Sequence, residues 1–251
     1  MTVNSRDSAP AVAVVIPTLN EAQSVQSVIA EIPRDLASEI IVADGGSKDA
    51  TTAIAAAAGA RVIAVGKGYG RACAAGVAAA SPQARIIVFI DGDGADRADL
   101  MAGLVDPIRR GDYDFVIASR ARGRREPGAM SRHQLLAGRL AGLGTGLLYG
   151  VRYTDMCAYR AIRRDCLERL GLREMTYGWN LEMQMRAAQA GLRILEVPMP
   201  YRRRRGGQSK VAGTWRGSIR AASRIGLTFL RVAMDSTDGG HHQSQRPATT
   251  R

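Results

Sequence analysis

The run Ile86-Ile87-Val88-Phe89-Ile90 stops abruptly at Asp91-Gly92-Asp93-Gly94. A short unbroken stretch of β-branched and apolar residues reads as a strand covered on both faces, in the middle of a parallel sheet. The two acids then fall at the strand's carboxyl end, where ligands bind in open α/β sheets. Two carboxylates separated by one glycine can converge on a hard divalent cation such as Mg²⁺ or Mn²⁺. A plain Asp-Gly turn, common after strands, is the alternative reading of the same residues.

Similar runs flank this one. Ala11–Ile16 predicts a first strand stopped by Pro17, and Glu39–Ala43 a second that ends at Asp44-Gly45-Gly46-Ser47. Arg61–Val65 and Asp114–Ala118 follow, the latter ending at Ser119-Arg120. Arg193–Pro198 is a last strand, placed at an edge by its proline. Between them lie helical patterns: Val25, Val28, Ile29 and Ile32, then Asp49–Ala58 closed by Gly59. Gly66-Lys67-Gly68-Tyr69-Gly70 opens a small-residue helix through Ala80. Its glycine spacing fits neither a Walker loop nor the dinucleotide fingerprint, so a phosphate turn and a plain strand–helix turn both stay open. Strand–helix alternation with short connections predicts an α/β domain built on a mostly parallel twisted sheet flanked by helices.

The second half has another texture. Ser131–Tyr149 is Leu- and Gly-rich, greasy on more than one face, with Arg132 and Arg139 as its only full charges. It suits a core helix or contact with a membrane interface. Val151–Arg160 reads as a loop and short strand. Trp179–Ala190 reads as a helix with Leu181, Met185, Ala188 and the following Leu192 inward and Glu182 on another face near Arg186. Tyr201–Lys210 is the densest cationic run. In Trp215–Met234, Arg216, Arg220, Arg224 and Arg231 fall on one arc, opposite Ile219, Ile225, Phe229, Leu230 and Val232. That is the pattern of an interfacial membrane helix, and equally of a surface helix packed on the domain. The expected organisation is a disordered segment 1–10, a domain over 11–212, an amphipathic helix over 213–235 and a disordered tail 236–251.

A formal charge of +12 over 251 residues calls for an anionic partner: nucleic acid, an anionic membrane surface or a phosphorylated ligand. Aromatic residues are only 5 %, too few for a base-stacking platform, so specific nucleic-acid binding is disfavoured. Cys73, Cys157 and Cys166 have no zinc or disulfide spacing and fit reduced, buried thiols. Three histidines, two of them in the tail, argue against a His-based site. No signal-peptide core and no spanning apolar stretch are seen.

The order of motifs resembles the family 2 glycosyltransferases of GT-A fold. The motifs are Val14–Glu21, Val42–Thr51 and Asp91-Gly92-Asp93, then Glu182, Glu196-Val197-Pro198 and Arg205–Lys210. The later ones are similar to the branch holding dolichyl-phosphate mannose synthases and other polyprenyl-phosphate glycosyltransferases. The resemblance covers about residues 11–212. It implies that Pro17, Asn20, Glu21 and Asp44 line the nucleoside pocket, and that Asp91 and Asp93 bind metal and the donor diphosphate. It places Ser119 and Arg120 near phosphates, with Arg205 and Lys210 closing over them; Arg132 is a further candidate on the acceptor side. The cofactor implied is a divalent metal, Mg²⁺ or Mn²⁺. Asp93, Asp155 and Glu182 are the candidate catalytic residues, the latter two as proton acceptors if the acceptor is a hydroxyl. Each could also be a structural partner of arginine.

Three departures stand out. Dolichyl-type members continue Asp-Ala-Asp-Leu-Gln, whereas here Gly94 and Ala95 follow Asp93, so the Gln that can join the metal shell is missing. Asp96 or water could replace it, although Asp96 is expected to cap the next helix. Asp-Gly-Gly-Ser at Asp44–Ser47 replaces Asp-Asp-Gly-Ser. The late loop carries an extra glycine and three more arginines. The function implied is an inverting, metal-dependent transfer from a nucleotide-diphosphate sugar to a polyprenyl phosphate, at the cytoplasmic face of the cell membrane. A soluble hydroxyl acceptor is the alternative, and a basic nucleic-acid-binding protein the weakest.

Overall fold

The apolar runs form β1 (Ala11–Thr18), β2 (Glu39–Asp44), β3 (Arg61–Ala64), β4 (Ala84–Phe89), β5 (Phe115–Ser119), β6 (Arg160–Arg163) and β7 (Ile194–Pro198). They make one sheet in the order β3-β2-β1-β4-β6-β5-β7. This computed structural model describes residues 11–206 and 215–239. Neighbouring strands are parallel except at β6, which is antiparallel to both β4 and β5. The other strands therefore all end at one edge of the sheet, and β6 begins there. That reversal delivers the chain just before Arg160, including Asp155, to the edge where Asp44, Asp91 and Arg120 emerge. The strand order turns back between β1 and β4, and this switch point is where open α/β sheets form their ligand crevice.

β1 is not stopped by Pro17 but runs on to Thr18, with Pro17 in register with Ala43. Val15 accepts from Ile90 N–H, so Val15 and Pro17 face β4, which has ended by then. The missing N–H of Pro17 thus costs no ladder bond. The short strand expected within Val151–Arg160 instead begins at Arg160. β7 lies at the edge, as its proline implied.

The helices are α1 (Val25–Glu31), α2 (Thr51–Ala57), α3 (Tyr69–Ala79), α4 (Ala102–Arg109), α5 (Arg132–Tyr149), α6 (Arg164–Arg169), α7 (Trp179–Gln189) and α8 (Trp215–Gly239). α3 packs on β1 and β2, and α4 on β5 and β6. Small residues make the first contact close: a Cβ on Gly76 of α3 would lie 2.3 Å from Val15 Cγ1. Gly76→Ala is therefore expected to destabilise by about 1–3 kcal/mol through overpacking. Thermal melting checks this; an unchanged midpoint would mean that α3 does not sit so close to β1.

α5 is a single helix, capped by the reciprocal Ser131–Gln134 box and closed by Gly150 at φ 73°. α5, α7 and α8 share a second apolar cluster of Ala141, Leu181, Met185 and Val232. Leu136, Leu140, Leu143 and Leu147 nevertheless stand exposed along α5, as do Leu227, Leu230 and Met234 on α8. Arg231 does not join an outward basic face. It turns inward to Glu182, at 3.2 Å, and Glu174, at 3.7 Å. Among the described residues no helix is long and apolar enough to cross a membrane.

Candidate active site

The ends of β1 and β2 interlock. Gly45 N–H donates to Thr18 O at 2.8 Å, continuing the ladder past the strands. Asp44 is saturated by its own turn: Oδ1 accepts from Thr18 and Ser47 hydroxyls, Oδ2 from Gly46 and Ser47 N–H at 2.9 and 2.8 Å. A Cβ at Gly45 would lie 3.2 Å from Thr18 O, so the aspartate of the usual motif would crowd this turn. Asn20 holds a left-handed φ of 52°. Its N–H donates to Ser47 Oγ and its side-chain oxygen accepts from Lys48 N–H, both at 2.8 Å. Glu21 is buried, its N–H donating to Thr51 Oγ1 at 2.8 Å. Asn20, Glu21 and Asp44 are thus tied together through the segment 47–51 on the β1–β2 side of the crevice, whereas Pro17 is buried within β1.

Across the crevice β4 delivers the acids. Asp93 Oδ1 accepts from Ala95 N–H at 2.9 Å. Its Oδ2 faces Arg204 Nη1 at 3.0 Å. Asp91 is pushed up to about 6, chiefly by burial and then by the Asp93 charge, with Arg120 and Arg204 pulling the other way. A divalent cation relieves such crowding, and the oxygen donors suit Mg²⁺ or Mn²⁺. Among the described residues no three His, Cys, Asp or Glu side chains converge as a ready metal cage.

Asp96 is not a helix cap. The short 3-10 turn begins at Ala98 with Arg97 before it, and no side chain caps it. Asp96 is buried beside the acid pair, with Cys157 Sγ 3.7 Å from its Oδ1. Burial first, and then Asp91, Asp93 and Asp155, push it up to about 8 against the pull of Arg120. It is thus largely protonated at neutral pH. A folded-state pKa above the unfolded value means stability that is complete near pH 4 and lost as pH rises through about 8. Asp96→Asn is therefore expected to flatten the fall of the melting temperature between pH 5 and 8.5. A parallel fall in variant and wild type would contradict the burial of this acid.

β5 contributes Ser119 and Arg120. Ser119 Oγ shares a hydrogen bond with Thr154 Oγ1 at 2.7 Å, and Glu196 of β7 holds Thr154 through its N–H and hydroxyl. Arg120 meets Asp155 as a fork: Nε to Oδ2 and Nη2 to Oδ1, each 2.8 Å, with Arg120 N–H adding a third bond at 2.9 Å. Burial alone would raise Asp155, but the Arg120 charge and these bonds outweigh it and hold the carboxyl below its ordinary range. The guanidinium also lies 5.1 Å from the Tyr201 ring centroid.

Glu182 is not brought into this group. It is fully buried on α7, accepting from Arg173 and Glu174 N–H and pairing with Arg186 and Arg231. Arg205 lies over the acids, its N–H donating to Asp93 O at 3.1 Å while its guanidinium pairs with Glu31. Lys210 lies outside the described residues, as does the side chain of Arg132, the first residue of α5.

Arg204 is the residue that sequence reasoning missed. It bridges Glu21, at 2.9 Å, and Asp93, at 3.0 Å. In a run of four arginines no pattern tells which one faces the acids; that follows only from the backbone pairing of the run with Asp93–Asp96. Glu31, which binds both Arg202 and Arg205, was likewise indistinguishable from a solvated helix residue.

Solved glucosyl-3-phosphoglycerate synthase from Mycobacterium tuberculosis, in complex with Mn²⁺, UDP-glucose and phosphoglyceric acid, superposes with a TM-score of 0.72 at 27 % identity, over 90 % of this chain and 80 % of that one. The fold is thus that of the GT-A glycosyltransferases. The model of glycosyl transferase family 2 matches residues 13–171, and the chain belongs to that family. A dolichyl-phosphate hexose transferase of Haloferax volcanii is 36 % identical over 227 residues, 89 % of this chain and 94 % of its own. An uncharacterized glycosyltransferase of M. tuberculosis is 37 % identical over 227 residues, 88 % of this chain and 97 % of its own. A polyprenol monophosphomannose synthase of Mycolicibacterium smegmatis is 29 % identical over 245 residues, 90 % of this chain and 89 % of its own.

Proposed function

We propose that this glycosyltransferase is inverting and metal-dependent, and that it moves a sugar from a nucleoside-diphosphate sugar to a polyprenyl phosphate at the cytoplasmic face of a membrane. The observation that carries the acceptor is the state of the carboxylates. Asp155 is committed to Arg120 and Glu182 to α7 and α8, so neither serves as a proton acceptor in this reading. A phosphate acceptor is already an anionic nucleophile and requires no base, whereas a hydroxyl would. The exposed leucines of α5 and α8 supply an apolar face for lipid, and the excess cationic charge suits an anionic bilayer.

In this reading Pro17, Asn20, Glu21 and the turn that Asp44 shapes hold the nucleoside, while Asp91 and Asp93 would hold Mg²⁺ or Mn²⁺ against the diphosphate. The cation, when bound, offsets the charge that grows on the departing nucleoside diphosphate. Arg120, fixed by Asp155, and Ser119 face the phosphates from β5, with Arg205, Lys210 and Arg132 as further contacts. Fixed cations of this kind stabilise the transition state most where charge develops. Ala95 offers no side-chain ligand, so Asp91 and Asp93 would be the protein's contribution to the metal, with the donor diphosphate as its other partner.

A second reading keeps the donor side but gives the enzyme a soluble acceptor, as the likeness to glucosyl-3-phosphoglycerate synthase suggests. A panel of nucleotide sugars with Mg²⁺ or Mn²⁺ separates the two, run with vesicles containing polyprenyl phosphate, with phosphoglyceric acid, and with neither. The proposal expects product only in the lipid phase. Product confined to the aqueous phase would overturn the lipid acceptor.

A further inference from the structure

Two of the departures from the family pattern, Gly94 after the acids and the added arginines of the late loop, meet each other in the fold. Residues 201–206 lie as a strap along Asp93–Asp96: Arg205 N–H donates to Asp93 O at 3.1 Å and Arg202 N–H to Ala95 O at 2.9 Å. An isolated bridge joins Asp96 and Tyr201. Gly94, at φ 73°, lies under Arg205, where a Cβ would come within 3.2 Å of the Arg205 stem. Glu31 anchors the strap from α1 through Arg202 and Arg205.

This seating sets one guanidinium between acids from two strand ends. Arg204 spans the β1–β4 crevice from Glu21 to Asp93, both nearly buried, with side-chain exposures of 8 % and 6 %. Its Nε is buried without a hydrogen-bond partner among the described residues, so the arginine is only partly satisfied there. Asp93 Oδ1 accepts from Ala95 N–H within its own turn, and Oδ2 is the oxygen directed out of that turn, where a metal ion would approach. That is the atom Arg204 holds. A divalent ion about 2.1 Å from that oxygen would stand within a few Å of the Arg204 guanidinium, and repulsion between the two cations opposes their holding it together.

We propose that Arg204 and a divalent cation are alternative occupants of Asp93 Oδ2, so that entry of the cation displaces Arg204 and loosens the strap. The inference rests on the reading of Asp93 as a metal ligand. It makes Arg204 a gate on loading: the protein's own charge neutralises the acids and gives way to the ion. Once displaced, Arg204 is free to turn its guanidinium to the donor diphosphate.

The test is Mn²⁺ affinity of the full chain without donor, read from the electron paramagnetic resonance of free Mn²⁺. Arg204→Gln is expected to bind Mn²⁺ about tenfold more tightly than wild type, equivalent to about 1.4 kcal/mol. Glu31→Gln, which frees the strap from a distance, shifts affinity the same way by about threefold. Arg203→Ala serves as the control, because Arg203 bonds Glu126 and Pro127 and not the acids, and its affinity stays at the wild-type value. Equal or weaker binding in both Arg204→Gln and Glu31→Gln, with wild type binding Mn²⁺, overturns the gate and leaves the metal site standing. No Mn²⁺ binding by any of the proteins overturns the metal site itself, and the gate with it.

Discussion

Asp93→Asn is expected to lower kcat by about 10³-fold with little change in thermal stability. The asparagine keeps the size of the side chain and an oxygen for the Ala95 N–H, so the turn after β4 survives. It removes the charge at Oδ2, the atom that faces Arg204 and that a cation needs. The loss should appear in kcat at saturating donor and metal, because stabilisation of the departing diphosphate is strongest in the transition state. Steady-state kinetics on the purified variant reads this directly. Turnover within tenfold of wild type would remove Asp93 from the metal.

The second large effect is on stability. Asp155→Ala strips the partner from a buried guanidinium: side-chain exposure in this pair is 16 % for Arg120 and 2 % for Asp155. Breaking a buried pair from one side costs about 3–5 kcal/mol, because the remaining charge is left uncompensated. For a chain of this size the melting temperature should fall by about 10 °C. Removing both charges together, as Arg120→Met with Asp155→Leu, should recover part of that loss. Both variants lose activity, so thermal melting is the discriminating measurement. A single variant that melts like wild type would mean that Asp155 is not the support of Arg120.

The parallel half of the sheet was legible because its signals are local. β-branched runs at Val12–Ile16, Ile40–Val42 and Ile86–Phe89 end at polar turns, and each became a buried strand. The carboxyl-end position of Asp44, Asp91 and Arg120 followed from the same pattern. Insertion of antiparallel β6 between β4 and β5 was not legible, since strand pairing over long sequence separation leaves no local mark. With it went the reason why Asp155 reaches Arg120. Glu182 and Arg231 lie on helix faces that periodicity assigns to solvent; Glu182 is buried and Arg231 turns toward it because α7 and α8 cover each other. Asp96 showed a capping pattern, but the turn begins at Ala98, so the cap position falls on Arg97 and the acid is buried in the cluster instead. The contact of Arg204 with Asp93 depends on the register of the strap, which four successive arginines conceal.

The central property proposed for the site is a divalent cation held by Asp91 and Asp93 against a nucleoside diphosphate. Calorimetric titration of a nucleoside diphosphate into the full chain tests it most directly, with Mn²⁺, with chelator, and with Mn²⁺ in the Asp93→Asn variant. Binding that requires Mn²⁺ and falls at least about 100-fold (about 2.7 kcal/mol) in the variant is the expected result. Equal affinity in all three titrations would contradict it.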